Sequence, residues 1–351
     1  MLSTEHLLYF RDSANLCPIE SEGIDLVVTS PPYPMIEMWD QLFIHQDREI
    51  GKALERGDAP GAFELMHLQL DKVWTELFRV LKQGGIACVN IGDATRSVSG
   101  KFSLLPNHSR ILWKFLDLGF EVLPMILWRK QTNAPNKFMG SGMLPVGAYV
   151  TLEHEYILIM RKSGLRGYRG ESEKALRRRS AYFWEERNRW FSDVWDFKGV
   201  RQDLDFKSSR TRSAAFPFEL AFRCISMYSL QGDTILDPFM GTGTAIIAAM
   251  TACRNSIGFE IDESLRKTIS SRIEGIKPRA NEYLARRIQS HIEYMRERND
   301  DGKKSYHNQY HQFEVVTAQE RELKIHALDS VISTGDKFIC KYSDEDRQPS
   351  F

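Results

Sequence analysis

Cysteine is scarce in this 351-residue chain, and the five present, Cys17, Cys88, Cys224, Cys253 and Cys340, form no Cys-x-x-Cys and no close pair. That argues against a zinc site and against a disulfide framework, and cysteines inside apolar runs suit a role as small core residues. Net charge is lacking too: 47 Lys/Arg stand against 47 Asp/Glu, so overall charge says nothing about a nucleic-acid partner. No run approaches the roughly 18 apolar residues needed to span a bilayer, and the amino terminus carries no basic-then-apolar signal. A soluble, cytoplasmic protein is expected. What is present is apolar content, 42% of residues, enough for one large α/β domain and a smaller insert.

One stretch organises the rest. The apolar run Ile24-Asp25-Leu26-Val27-Val28 reads as a buried strand, and Thr29-Ser30-Pro31-Pro32-Tyr33-Pro34 leaves its carboxyl end as a rigid loop. Ligands of open α/β sheets bind at such ends. Two consecutive prolines fix φ and remove two backbone donors. The loop therefore offers carbonyl oxygens, one hydroxyl and an aromatic face, which suits a planar NH₂ group on a ring, as in the exocyclic amine of a nucleobase. Taken alone, the same residues also fit a proline-rich turn or a ligand for another domain.

Around this loop the periodicity predicts ordinary α/β construction. Leu7 to Phe10 reads as a strand, with a turn and a helix leading on to Ile24, and Asp12 just past the strand end is placed to cap that helix. Met66 to Lys82 has helical spacing and stops at Gly84-Gly85. Ile86 to Ile91 is a strand, Asn107 to Gly119 a helix, Phe120 to Trp128 a strand, Gln131 to Gly147 a loop by composition, and Glu153 to Met160 a further strand.

From Arg161 to Arg212 the chain carries 15 Lys/Arg against 8 Asp/Glu, interleaved with Tyr168, Tyr182, Phe183, Trp184, Trp190, Phe191, Trp195 and Phe197. Basic residues among aromatics are a nucleic-acid footprint, and Arg177, Arg178, Arg179, Lys207, Arg210 and Arg212 are the candidate DNA contacts. The plainer reading is a solvated basic helix whose aromatics pack on the main domain.

A second motif lies two hundred residues after the first. A strand near Thr234 runs into Asp237-Pro238-Phe239-Met240-Gly241-Thr242-Gly243-Thr244 and then the small-residue helix Ala245 to Ala252. Strand, Gly-rich turn and helix start in succession make a nest of N–H groups for a carboxylate or phosphate. The next strand ends in Glu260-Ile261-Asp262, where a carboxylate reaches ribose hydroxyls. No Lys follows the glycines and the third glycine of a dinucleotide fingerprint is missing, which disfavours nucleoside-triphosphate and hydride-transfer readings.

Together these residues resemble the amino-methyltransferases of DNA, whose catalytic motif is Asp/Asn/Ser-Pro-Pro-Tyr and whose Ser form is typical of cytosine-N4 enzymes. Catalytic motif first, basic insert next, then Phe216-Pro217 and the Gly-rich loop is the order of the circularly permuted beta group. The resemblance implies a class I methyltransferase fold, a Rossmann-like α/β architecture with a seven-stranded sheet, and seven strand candidates stand near Leu7, Ile24, Ile86, Phe120, Tyr156, Thr234 and Ser256. It divides the chain into a catalytic half at 1–130, a target-recognition insert at 131–213 that includes the core strand near 153–160, a cofactor half at 214–299, and an extension at 300–351 with no assigned role.

The resemblance also implies site residues. Ser30, Pro31, Pro32 and Tyr33 are the catalytic group; Asp12, Phe216, Asp237, Phe239, Gly241, Gly243, Thr244 and Glu260 hold S-adenosyl-L-methionine, with Asp12 at its adenine and Glu260 at its ribose. No metal is expected, because the cofactor's sulfonium needs none. The expected reaction is methylation of the N4 of a cytosine flipped out of double-stranded DNA, in restriction-modification alongside a cognate endonuclease. Adenine-N6 methylation, an RNA substrate and a non-catalytic DNA-binding regulator are the alternatives. Cys17-Pro18 is the reverse of the Pro-Cys nucleophile of cytosine-C5 enzymes, which disfavours a covalent route.

Overall fold

The computed structural model describes residues 2–130, 139–198, 216–299 and 304–343. Ten strands form one mixed sheet: β1 (Ser3–Tyr9), β2 (Ile24–Thr29), β3 (Leu81–Ile91), β4 (Phe120–Arg129), β5 (His154–Lys162), β6 (Val194–Asp196), β7 (Thr234–Asp237), β8 (Asn255–Phe259), β9 (Leu328–Thr334) and β10 (Lys337–Tyr342). Their spatial order is β6-β4-β5-β3-β2-β7-β8-β1-β10-β9. The five strands from β3 to β1 run parallel. β5 is antiparallel to both β3 and β4, so β4 and its neighbour β6 point the same way as β2.

All six residues of β2 are buried, as expected of a central parallel strand covered by helices on both faces. Val27 faces an apolar layer built on the helix Ala59–Val80 with Met66, Leu70, Trp74 and Leu77, whereas Leu26 and Val28 face a layer containing the helices Phe218–Tyr228 and Thr244–Thr251. β2 and β7 are direct neighbours, with Leu26 opposite Ile235 and Val27 opposite Leu236. The two motifs, far apart in sequence, therefore leave adjacent strands at the same end of the sheet.

All seven expected strands are in this sheet, joined by β6, β9 and β10, and three readings of the chain need correction. Between β1 and β2 the backbone makes turns and no helix; Asp12 caps one of those turns by accepting the Ala14 N–H at 2.9 Å. Gly84-Gly85 is no helix stop, since the helix ends at Val80 and β3 has begun. Gly84, at φ +74°, lets the chain at Arg166 approach so closely that a Cβ would stand 2.5 Å from the Arg166 nitrogen. The carboxyl-terminal extension adds the hairpin β9–β10 to the sheet edge along β1. Finally, Phe183, Trp190 and Trp195 are buried, with the two tryptophans in the second apolar layer, so those aromatics are core and not a binding stripe.

Within the described part of the expected insert at 131–213 the chain visits both ends of the sheet. β4 ends and β5 begins at the carboxyl end of β2, with the hairpin Met139–Gly140 and Ala148–Tyr149 between them in sequence. β5 then delivers the chain to the opposite end, where Arg166 pairs with Asp233 at 2.5 Å just before β7. β6 brings it back, and Asp196 at its end lies opposite Arg129 at the carboxyl end of β4.

Candidate active site

The carboxyl end of β2 supplies the first half of the site. Pro31 and Pro32 are buried while Ser30 and Tyr33 are half-buried, so the rigid pair anchors the loop. Asn107 clamps the far side of the loop, its Nδ2 donating to the Pro34 carbonyl at 3.2 Å and the Gly92 carbonyl at 3.0 Å. Its Oδ1 lies 3.0 Å from His67 Nε2. Burial holds His67 near a pKa of about 3, so its ring is neutral at physiological pH and donates from Nε2 to that oxygen.

Tyr33 stands in a polar network that the motif did not reveal. Ser30 Oγ is 3.2 Å from the Tyr33 hydroxyl, which donates to Glu155 Oε2 at 2.9 Å. Asn90 Nδ2 donates to both, at 2.9 Å and 2.7 Å, and Lys130 pairs with Glu155 Oε1. Burial first, and then the Glu155 charge, push the Tyr33 hydroxyl well above its usual pKa, so it remains a protonated donor. Gly92 leaves room for this cluster: a Cβ there would lie 3.1 Å from the Tyr33 ring and 3.2 Å from Glu155 Cγ. Glu155 at the start of β5 and Asn90 near the end of β3 were visible as polar residues in apolar strands, but nothing in their spacing pointed to Tyr33.

The second half comes from β7. Asp237 is buried and accepts the Thr29 hydroxyl at 2.6 Å and the Phe239 N–H at 3.1 Å, both on Oδ1. Burial raises its pKa to about 7, with the Glu260 charge adding to the rise and the two hydrogen bonds opposing it. Thr29, immediately before Ser30, thus ties one loop to the other. Gly241 and Gly243 adopt positive φ of 53° and 83°, as the turn into the helix Thr244–Thr251 requires. Glu260 accepts the Gly241 N–H at 2.9 Å on one oxygen and the Asp262 N–H at 2.8 Å on the other. Burial raises its pKa as well.

The residues around this loop fit the methionine and ribose of S-adenosyl-L-methionine. A Cβ built on Gly241 would meet only the Phe239 carbonyl, at 3.9 Å, so the space in front of the turn is open. The Phe239 ring is half-exposed and packs against the same apolar layer as Tyr33. Gly258 keeps the loop seated, because a Cβ there would collide with Met240 Sδ. Thr244 is buried at the start of the helix, and Asp12 is exposed beside the end of β1.

Phe216 belongs to the second apolar layer with Leu220 and Ala221. Arg177, Arg178 and Arg179 end the helix Glu171–Arg179, and Ser180 just after them accepts the Gln231 N–H shortly before β7, at the amino end of the parallel strands. There Arg178 pairs with Glu322 at 2.8 Å, Arg177 lies 4.7 Å over the Tyr168 ring, and the Arg179 carbonyl accepts the Lys324 N–H. Lys207, Arg210 and Arg212 fall outside the described residues.

This geometry agrees with comparisons to known proteins. The N6/N4 family model described as DNA methylase matches residues 24–271. The chain is 53% identical over 327 residues to the type II methyltransferase M.MthZI of Methanothermobacter thermautotrophicus, covering 93% of this chain and 91% of that protein. It is 49% identical over 287 residues to the type II methyltransferase M.MjaI of Methanocaldococcus jannaschii, covering 79% and 93%. The Thermus thermophilus protein TTHA0409, solved in complex with S-adenosyl-L-methionine, superposes with a TM-score of 0.57 at 32% identity, covering 76% of this chain and 94% of its own. With the Ser-Pro-Pro-Tyr loop and the Gly-rich loop on adjacent strands, and with relatives matched over nearly their whole length, the chain belongs to the N6/N4 DNA methylase family.

Proposed function

We propose that this DNA methylase transfers a methyl group from S-adenosyl-L-methionine to the exocyclic N4 of a cytosine flipped out of double-stranded DNA. The observation that carries the reading is the Thr29–Asp237 hydrogen bond of 2.6 Å, which sets the Ser30 loop directly beside the loop fitted to the cofactor. A Thermus relative solved with S-adenosyl-L-methionine supports the choice of donor. When bound, the cofactor supplies an electrophilic methyl group on a positively charged sulfur.

The chain's own residues then have definable work. Phe239, Gly241 and Gly243 hold the methionine part, Glu260 the ribose and Asp12 the adenine. An exocyclic amine is a weak nucleophile because its lone pair is delocalised into the ring. Ser30 Oγ and the Pro31 carbonyl accept its two N–H bonds and turn the lone pair outward, each bond contributing about 0.5 to 1.5 kcal/mol. Flipping the base costs a few kcal/mol, and stacking on the half-buried Tyr33 ring returns about 1 to 3 kcal/mol. The names of the type II relatives support a place in restriction-modification, opposite an endonuclease of the same site.

The family model spans both N6 and N4 enzymes, so adenine-N6 methylation is the second reading; the neutral Ser30 acceptor favours cytosine. Nucleoside digestion of DNA methylated by the purified protein tests the choice. N4-methylcytosine is the expected product, N6-methyladenine transfers the assignment to adenine, and neither base with cofactor bound and DNA present leaves the regulatory role.

A further inference from the structure

The polarity of the hydroxyls around Ser30 is set by a residue outside the Pro-Pro-Tyr motif. An ionised carboxylate only accepts hydrogen bonds and an amide NH₂ only donates. Asn90 Nδ2 donates to Glu155 Oε2 at 2.7 Å and to the Tyr33 oxygen at 2.9 Å; the reverse amide orientation would set its oxygen against the carboxylate. The single Tyr33 hydrogen therefore goes to Glu155, 2.9 Å away, and the Tyr33 oxygen must accept from Ser30 at 3.2 Å. Ser30, having spent its hydrogen on Tyr33, presents only lone pairs to whatever lies in front of it.

Building on the methyltransferase reading above, we propose that Glu155 is the positioning residue that makes Ser30 an obligate hydrogen-bond acceptor and takes up the proton released when the amine is methylated. The amine lone pair forms the N–CH₃ bond as the S–CH₃ bond breaks, its electron pair staying on sulfur. The surplus proton on nitrogen passes to Ser30 Oγ, the Ser30 proton to the Tyr33 oxygen, and the Tyr33 proton to Glu155 Oε2, which ends neutral. Each oxygen gives one proton and gains one, so only the amine and Glu155 change protonation.

The surroundings favour this direction. Glu155 is 8% exposed, and Lys130 pairs with its other oxygen, leaving Oε2 to Tyr33 and Asn90. Of the other titratable groups nearby, Arg129 pairs with Asp196, Asp93 pairs with His108 at 2.8 Å with the His108 ring stacked on Tyr156, His154 meets Tyr156 edge-on, and Glu153 stands two residues before Glu155. A glutamine here keeps one oxygen as acceptor for Tyr33 and Asn90 but cannot take up a proton.

The test is single-turnover methylation of unmethylated genomic DNA with radiolabelled S-adenosyl-L-methionine, followed against pH, for the full chain and its Glu155→Gln, Tyr33→Phe and Lys130→Met variants. Glu155→Gln should fall at least about tenfold in rate, change the pH profile of that rate, and keep cofactor and DNA affinity within about twofold. Tyr33→Phe should do the same without adding to Glu155→Gln in the double variant, which preserves the test if one variant folds poorly. Lys130→Met, which removes the partner of the other Glu155 oxygen, should lower the rate less than Glu155→Gln. An unchanged rate and pH profile in Glu155→Gln, or additive losses in the double variant, overturns the inference. Wild type transferring no methyl group to any DNA overturns instead the reading on which it rests.

Discussion

The Thr29 hydroxyl donates to the buried Asp237 carboxyl across 2.6 Å, bridging residues 208 positions apart and fastening the loop that presents Ser30 to the loop that begins at Phe239. Asp237 holds both loops on the same oxygen, since the Phe239 N–H also binds Oδ1. Thr29→Val removes the donor and leaves the buried carboxyl one bond short, at a cost of about 1 to 3 kcal/mol. Chemical denaturation should show that loss, and calorimetry should show weaker cofactor binding because the Gly-rich turn loses its anchor.

Asp237 also makes a signed prediction about pH. Its carboxyl titrates near 3.8 in the unfolded chain and near 7 in the fold, because burial disfavours the anion. Between those values the folded state holds a proton that the unfolded state has lost, so this group's contribution falls as pH rises from about 4 to about 7, by up to about 1.4 kcal/mol per pH unit. His6 and His67, depressed from 6.5 to about 3 by burial, act oppositely and lose stability as pH falls. Asp237→Asn keeps an acceptor for Thr29 and Phe239, so the stability of this variant relative to wild type should climb across that window. A flat difference curve in denaturation at several pH values would remove the assignment.

Ser30→Ala should lower turnover about ten- to a hundredfold, about 1.4 to 2.7 kcal/mol of barrier, without touching cofactor affinity. Tyr33→Ala should be worse, because it deletes the stacking face and leaves Asn90 and Glu155 without their partner. Rate measurements alongside calorimetry separate the two effects.

Gly241→Val should block the open space in front of the turn and strain a backbone at φ +53°. Glu260→Ala should release the Gly241 and Asp262 N–H groups and remove the carboxylate proposed for the ribose. Both variants are expected to bind S-adenosyl-L-methionine more weakly, and unchanged calorimetric affinity in both would move the cofactor elsewhere.

For DNA binding, the two arginine groups of the insert are expected to part company. Neutralising Arg177, Arg178 and Arg179 together should leave DNA affinity and its salt dependence unchanged, because that helix end faces away from the Ser30 loop. Neutralising Lys207, Arg210 and Arg212 should weaken binding and reduce the salt slope by roughly one for each phosphate no longer neutralised. Affinity measured from low to moderate salt decides, and the reverse pattern would place the duplex at the other end of the sheet.

The sequence by itself determined seven of the ten sheet strands, the two motifs and their order, because each is a local signal: an apolar run without helical period, a Pro-Pro that stiffens a loop, a Gly-x-Gly that allows positive φ. Thr29, Asn90, Lys130 and Glu155 were equally present in the sequence but carried no role there, since their partners come from other strands or loops. Only the tertiary structure decided that β2 and β7 lie side by side, that Glu155 on an antiparallel strand reaches Tyr33, and that the tail closes the sheet edge. For the basic insert, composition records how many arginines and aromatics there are, while the alternating direction of β4, β5 and β6 decides which end of the sheet they reach.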